Sequence, residues 1–287
     1  MAKVSIITIN LNNINGLKET YKSVSEQTFQ DKEWIVIDGG STKGDCDFIE
    51  QHQDEMSFWC SEPDGGIYNA INKGILHANG DYLICMNSGD TFYDKNVLEH
   101  VFEQELYGDV VYGDWVQSFP NGEKKEYYAP KTFSLHFITH NNICHQAIFT
   151  RTEIMKKSLF NENYSIYADW AKWIELTLKK CTFQYIPFFI CYFDMCGLSQ
   201  TSDKIGKEKE LLLEWELSPA IKETLRLINE YNSLKQVYTE QENKLNETLS
   251  RCGLLEEELN RFKEREKTFL YKTLNKIYSI THKVGNK

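Results

Sequence analysis

The 287-residue chain carries 32 lysines and arginines against 42 aspartates and glutamates, a net charge of −10. It therefore lacks the basic surface that a general nucleic-acid binder needs. With 41% hydrophobic and 26% charged residues it has a globular composition, too apolar for a disordered chain, and room for one sizeable α/β domain plus an appendage. Its eight cysteines (Cys46, Cys60, Cys85, Cys144, Cys181, Cys191, Cys196 and Cys252) form no Cys-x-x-Cys pair and sit mostly among apolar neighbours. That favours buried, reduced thiols over a zinc cluster. The N-terminal segment has no charged leader followed by an apolar stretch and a cleavage site, so no signal peptide is expected. The most apolar later run, Tyr185 to Cys196, is too short to cross a bilayer and contains Pro187 and Asp194. The expected setting is soluble and cytoplasmic.

In chain order, Val4 to Asn10 reads as a strand covered on both faces, and a polar turn from Asn12 to Asn15 leads into a helix from Leu17 to Gln27. Glu33 to Asp38 is a second buried strand, followed by Gly39-Gly-Ser-Thr42. Strand, helix, strand at this spacing is the βαβ unit of a parallel sheet. Helices are expected over Asp45 to Gln53 and Ile67 to His77, with a short strand near Phe58 between them. Tyr82 to Met86 is a third strong strand, and Val110 to Tyr112 and Phe183 to Phe193 are further candidates. Asn10, Asp38 and the run Asn87 to Asp90 each follow the carboxyl end of such a strand. Ligands of open α/β sheets bind at that end, so these residues belong on one rim.

From about Lys207 the composition turns to Glu, Lys, Leu and Asn, with Pro219 the last proline. Heptad position a placed at Tyr231 gives Tyr231, Tyr238, Leu245, Cys252 and Leu259 at a, and Leu234, Gln241, Thr248, Leu255 and Phe262 at d. This is a coiled-coil pattern, weakened by Gly253, and an amphipathic helix folded back on the first domain fits it as well. Arg261 to Lys287 is basic, with Leu270, Leu274, Ile277 and Val284 at helical spacing. Three readings stand for it: peripheral contact with an anionic membrane at the inner face of the plasma membrane, a partner-binding helix, or a solvated tail.

Moving a sugar from a nucleoside diphosphate requires selection of the nucleoside, neutralisation of the leaving diphosphate, a base for the acceptor hydroxyl, and a sugar pocket. The segments Val4-Ser-Ile-Ile-Thr-Ile-Asn10, Val36-Ile-Asp38-Gly-Gly-Ser-Thr42 and Asn87-Ser-Gly-Asp90 resemble the opening of family 2 glycosyltransferases with the GT-A fold. Ser61-Glu-Pro-Asp64-Gly-Gly-Ile-Tyr-Asn-Ala-Ile-Asn-Lys73-Gly74 resembles the E-x-D-x-G-x-Y-D-A-x-N-K-G element of a branch acting on bacterial surface polysaccharides. Each motif is weak alone. Four in this order and spacing are specific, and they span roughly residues 3 to 200.

The resemblance implies an α/β fold of the GT-A (Rossmann-like) type: a mixed, mainly parallel sheet flanked by helices over residues 1–205, with a helical or coiled-coil extension over 206–287. It implies an inverting transferase that moves a sugar from a nucleotide-sugar donor, with UDP the expected nucleotide, to a saccharide or lipid-linked acceptor. Carried over residue by residue, it implies that Thr8 and Asn10 line the nucleotide pocket, partly through the backbone. Asp38 would take a hydrogen bond from the base, Asp64 and Lys73 would lie beside ribose and diphosphate, and Asn87 and Ser88 would face the ribose region. Asp90 would bind a divalent Mg²⁺ or Mn²⁺ ion, His145 would sit near the donor sugar or diphosphate, and Asp169 would be the catalytic base. The heptads leave a homo-oligomer open.

The chain departs from the family pattern at three places. Asn87-Ser-Gly-Asp90 holds one carboxylate where members often hold two or three, Ile71 stands where many carry arginine, and Asn69 replaces the aspartate of the branch motif. One carboxylate suffices for Mg²⁺, which keeps waters and leans on substrate phosphates. Each site residue also has a plain structural role open to it: Asp38, Asp90 and Asp169 as helix caps, His145 as a hydrogen-bonded core residue. Two other functions compete. A nucleotidyltransferase would carry a basic phosphate loop after the first strand, and Asn10 to Gly16 has no Lys or Arg. A scaffold built on a decayed transferase domain would use the coiled coil as its working part.

Overall fold

The protein is described from a computed structural model covering residues 3–195 and 205–284. Cys196 and Lys287, read above, lie outside those residues. The chain divides into two compact units, Met1–Ser218 and Pro219–Lys287.

The first unit runs β1 (Val4–Asn10), α1 (Ile14–Ser25), β2 (Lys32–Asp38), α2 (Asp45–Gln51), β3 (Phe58–Ser61), α3 (Ile67–His77), β4 (Tyr82–Cys85), β5 (Thr91–Phe92) and α4 (Val97–Phe102). It continues through β6 (Val110–Ser118), β7 (Lys124–Tyr127), α5 (Leu135–His140), β8 (Ile148–Arg151), α6 (Thr152–Lys157), α7 (Ala168–Leu178), β9 (Phe183–Asp194) and α8 (Ile205–Glu216). The second unit is one helix, α9 (Pro219–Val284). Gly253 does not interrupt it, since a single glycine in a long helix costs only about 1 kcal/mol.

The sheet order is β3-β2-β1-β4-β8-β6-β9-β5, with β7 on β6. β1, β2, β3 and β4 are parallel. β8 runs antiparallel to both β4 and β6, and β9 is parallel to β6. β6 and β9 therefore point the same way as the first four strands, and six carboxyl ends share one edge. This is the mixed, mainly parallel sheet expected from the sequence. The near-continuous apolar strands owe their character to helices on both faces: Ile6, Ile7, Ile35, Val36, Ile37 and Ile84 are fully buried. α3 packs so closely on β1 that a Cβ on Gly74 would lie 2.4 Å from Ile7 Cγ2.

Element limits follow local chemistry. α1 begins at Ile14, three residues before the expected start, because Asn13 caps it by accepting from the Gly16 amide at 3.1 Å. Val110 to Tyr112 is the beginning of a nine-residue strand. Among the described residues no helix is long and apolar enough to cross a membrane.

Candidate active site

The carboxyl ends of β1, β2 and β3 meet in one polar network. Asn10, the last residue of β1, donates from Nδ2 to Asp38 Oδ1 at 2.7 Å and to Asp45 Oδ1 at 2.9 Å. Its Oδ1 accepts from Ser88 Oγ at 2.8 Å, which ties in the loop after β4. Asp38 ends β2 and is fully buried. Ser41 donates to it from backbone (2.8 Å) and side chain (2.6 Å), and Ser61, at the end of β3, donates at 2.6 Å. Burial alone would raise the Asp38 carboxyl, but the donors from Ser41, Ser61 and Asn10 outweigh it and hold the group below the usual carboxylate range. Asp38 thus ties three strand ends together, and it does not cap α2.

The loop after β4 carries the second carboxylate. Asp90 is 3% exposed. Its Oδ2 accepts from Gln146 Nε2 at 2.7 Å and its Oδ1 from the Asp194 backbone amide at 2.9 Å. Burial pushes its carboxyl up to about 6, with the nearby Asp194 charge adding to the rise and the two donors opposing it. Gly89, at φ +108°, brings the loop against Asp194, whose Oδ2 would lie 2.9 Å from a Cβ there. Thr20 of α1 fastens the loop by donating to the Asp90 carbonyl at 2.7 Å.

Among the described residues no group of three His, Cys, Asp or Glu side chains could hold a metal. The local donors are nonetheless oxygens suited to a hard cation: Asp90, the adjacent Asp194, and Gln146 Oε1, which is buried without a hydrogen-bond partner. This set fits a Mg²⁺ or Mn²⁺ that takes its remaining ligands from water and substrate phosphates.

The third carboxylate, Asp169, lies in the first turn of α7 and is 7% exposed. Its Oδ1 accepts from the Trp170 amide at 2.7 Å; the Tyr68 hydroxyl lies 3.2 Å away and gives its single proton to the closer Ile166 carbonyl. Its Oδ2 lies 3.2 Å from His145 Nδ1, and His145 Nε2 lies 3.0 Å from Asn87 Nδ2. With the Asn87 amide nitrogen donating, Nε2 is the acceptor, so Nδ1 carries the proton and donates it to Asp169. His145 and Gln146 are consecutive, and they hold Asp169 and Asp90 respectively.

The remaining expected residues divide. Asp64 and Lys73 stay near the β2–β3 end of the rim: Asp64 Oδ2 would lie 2.8 Å from a Cβ on Gly39, and its Oδ1 accepts from the Gly66 amide at 2.8 Å. Lys73 pairs with Glu62 at 2.7 Å, and that carboxylate raises its ammonium above the ordinary value. Thr8 is not brought to this surface; its side chain is fully buried, and its hydroxyl accepts from Trp34 Nε1 at 2.9 Å. Tyr68, Gln146 and Asp194 enter the site without having been singled out as site residues. Asp194 was legible, because it closes β9 at the same edge as Asn10 and Asp38. Tyr68 carried no signal beyond its place in the Ser61–Gly74 motif, and Gln146 none beyond its position next to His145.

Comparison with known proteins bears on the fold and the family. An uncharacterised glycosyltransferase of Mycobacterium tuberculosis is 43% identical over 101 residues, 35% of this chain and 38% of that protein. A PGL/p-HBAD biosynthesis glycosyltransferase of the same organism is 30% identical over 174 residues, 58% of this chain and 66% of that protein. The chain therefore spans less than two thirds of the length of either relative. The crystal structure of Staphylococcus aureus TarS 1-349 in complex with UDP superposes with a TM-score of 0.60 at 18% identity, over 78% of this chain and 69% of that one. The fold is GT-A. Residues 5–165 match the model described as Glycosyl transferase family 2, and on that match, with the rim and sheet just described, the chain belongs to glycosyl transferase family 2.

Proposed function

We propose that the protein is an inverting glycosyltransferase that moves a sugar from a nucleoside diphosphate, UDP in the first instance, to a hydroxyl of a saccharide or lipid-linked acceptor in bacterial polysaccharide or glycolipid synthesis. One observation carries the reading: consecutive residues, His145 and Gln146, hold two carboxylates in different environments on the same rim. One carboxylate suits a base and the other a cation. Structural ion pairs do not need this separation of roles.

In the proposed reaction the acceptor hydroxyl attacks the anomeric carbon on the face opposite the diphosphate. Asp169 Oδ2, which accepts from His145 and keeps a second lone pair, takes the hydroxyl proton. The bond from the anomeric carbon to the diphosphate oxygen breaks with its electron pair on the leaving group, so a single displacement inverts the centre. The Trp170 amide holds Oδ1 and leaves Oδ2 to face the acceptor. Asp90, with Asp194 and Gln146, would hold a divalent cation, which when bound neutralises charge on the departing diphosphate. Asn10, Asp64, Lys73, Asn87 and Ser88 are assigned to the nucleotide side, and Asp38 to shaping it from beneath. A lipid-linked acceptor fits the basic end of α9 from Arg261 onward, where an anionic membrane face would be met.

Calorimetry with UDP, GDP and UDP-sugars, with and without Mn²⁺, tests the donor. Metal-enhanced binding of UDP supports the reading, whereas absence of any nucleotide binding would favour a scaffold on a decayed transferase domain. Asp169→Asn is expected to cut transfer by about 10²–10⁴-fold with nucleotide affinity within a factor of about three, since a positioned base supplies that much. Transfer within tenfold of wild type in this variant would remove Asp169 as the base.

A further inference from the structure

Helix α9 is 66 residues long, roughly 100 Å at the rise of an α-helix. Tyr231, Leu234, Tyr238, Leu245, Leu255 and Leu259 are all more than half exposed. They fall on the a and d positions of one heptad frame, in which Gln241 and Thr248 are the polar d residues, and together form one seam from Tyr231 to Leu259. An exposed apolar seam of this length is far larger than the scattered apolar contacts usual on a protein surface.

The flanking charges identify what covers it. In a parallel pair of helices in register, each g residue faces the e residue five positions later on its partner. In this frame Arg251 of one protomer meets Glu256 of its partner, Glu258 meets Lys263, and Glu230 meets Lys235. Glu230 also pairs with Arg226 on its own helix. The other g–e contacts, Val237 with Glu242, Lys244 with Leu249 and Arg265 with Leu270, contain no like charges. Running the same seam antiparallel, with Tyr231 opposite Phe262, would set Lys244 against Arg251 twice. We propose that α9 is the strand of a parallel, in-register, two-stranded coiled coil, and that the occupant of its apolar seam is a second copy of this chain.

Two features make the register testable. Cys252 lies at position a and is exposed in the single chain, so a parallel, in-register pair brings the two Cys252 thiols into one layer. An antiparallel pair places Cys252 opposite Gln241. Glu258 and Lys263 are five residues apart, a spacing that does not bring side chains together on one helix. Any coupling between them is therefore between protomers.

The experiment uses the full chain. Light scattering at tens of micromolar is expected to give twice the chain mass of 33.6 kDa. Copper–phenanthroline oxidation is expected to link the pair covalently in the wild type and not in Cys252→Ser. Glu258→Lys is expected to raise the dissociation constant at least tenfold with helicity by circular dichroism unchanged, and Glu258→Lys with Lys263→Glu to restore it. A monomer, a trimer or a tetramer would overturn the proposal. So would a dimer that does not cross-link through Cys252, or one whose affinity the double reversal leaves unrestored.

Discussion

Asp90→Asn separates two demands on one carboxylate. The group is buried, and its proton affinity is raised from 3.8 to about 6, a difference worth roughly 3 kcal/mol against the ionised form. Between those values the native state binds more protons than the unfolded chain, so stability falls as pH rises from about 4 to about 6 and stays reduced above. The amide removes that cost. It can still accept from the Asp194 backbone amide, and rotation of the Gln146 amide would present the unpartnered Oε1 to the new NH₂ group. In EDTA at pH 8 the variant is expected to be more stable by up to roughly 3 kcal/mol, or about 5–10 °C for a domain of this size. The gain should shrink to near zero at pH 4. Thermal and urea denaturation across pH 4–8 measure it. Metal enhancement of nucleotide binding should be lost in the same protein, since an amide is a poor replacement for the one strong ligand. Equal or lower stability at pH 8, or a difference independent of pH, would refute the assignment of burial as the dominant influence on Asp90.

Asp38→Ala removes the acceptor of Ser41, of Ser61 and of one Asn10 amide proton, the other staying on Asp45, and is expected to cost about 3–5 kcal/mol in urea denaturation at pH 7, since each buried donor left unpaired costs about 1–3 kcal/mol. Because the Asp38 carboxyl is held below its ordinary value, its contribution is present above about pH 4 and lost as pH falls further; the gap between variant and wild type should narrow on acidification. His145→Ala removes the donor to Asp169 Oδ2, and steady-state kinetics are expected to show kcat down about 10–100-fold, with the donor KM changed less than about threefold. A change in KM alone would place His145 on the donor rather than behind the base.

The fold was largely legible because its signals are local. Continuous apolar runs ending in polar residues marked β1, β2 and β4, and α3 spans Ile67–His77 as the periodicity predicts. β5, β7 and β8 escaped notice for a physical reason: at two to four residues they hold at most two strand periods, too few to mark a pattern. They are held by pairing with strands distant in sequence. β8 is the instructive case, since Ile148–Arg151 is clamped between β4 and β6, and neither neighbour is encoded in its own four residues.

The site was legible to the depth at which the strand-end rule operates. That rule puts side chains at one edge but does not say whether they face solvent or the interior. Asn10 and Asp38 are adjacent in register on β1 and β2, and Asp38 is turned into a net of donors while Asn10 bridges that net to Ser88. Asp38 therefore fixes the spacing of three strand ends, and its acidity is spent on that task. Asp90 has fewer donors and is destabilised as an anion. Asp169 accepts from the Trp170 amide at Oδ1 and from His145 at Oδ2. The proposed division of roles, one carboxylate organising, one for a cation and one for a proton, rests on these different surroundings. Those donors come from Asn10, Ser41, Ser61, His145, Gln146, Trp170 and Asp194, residues spread over more than 150 positions that only the closed sheet brings together.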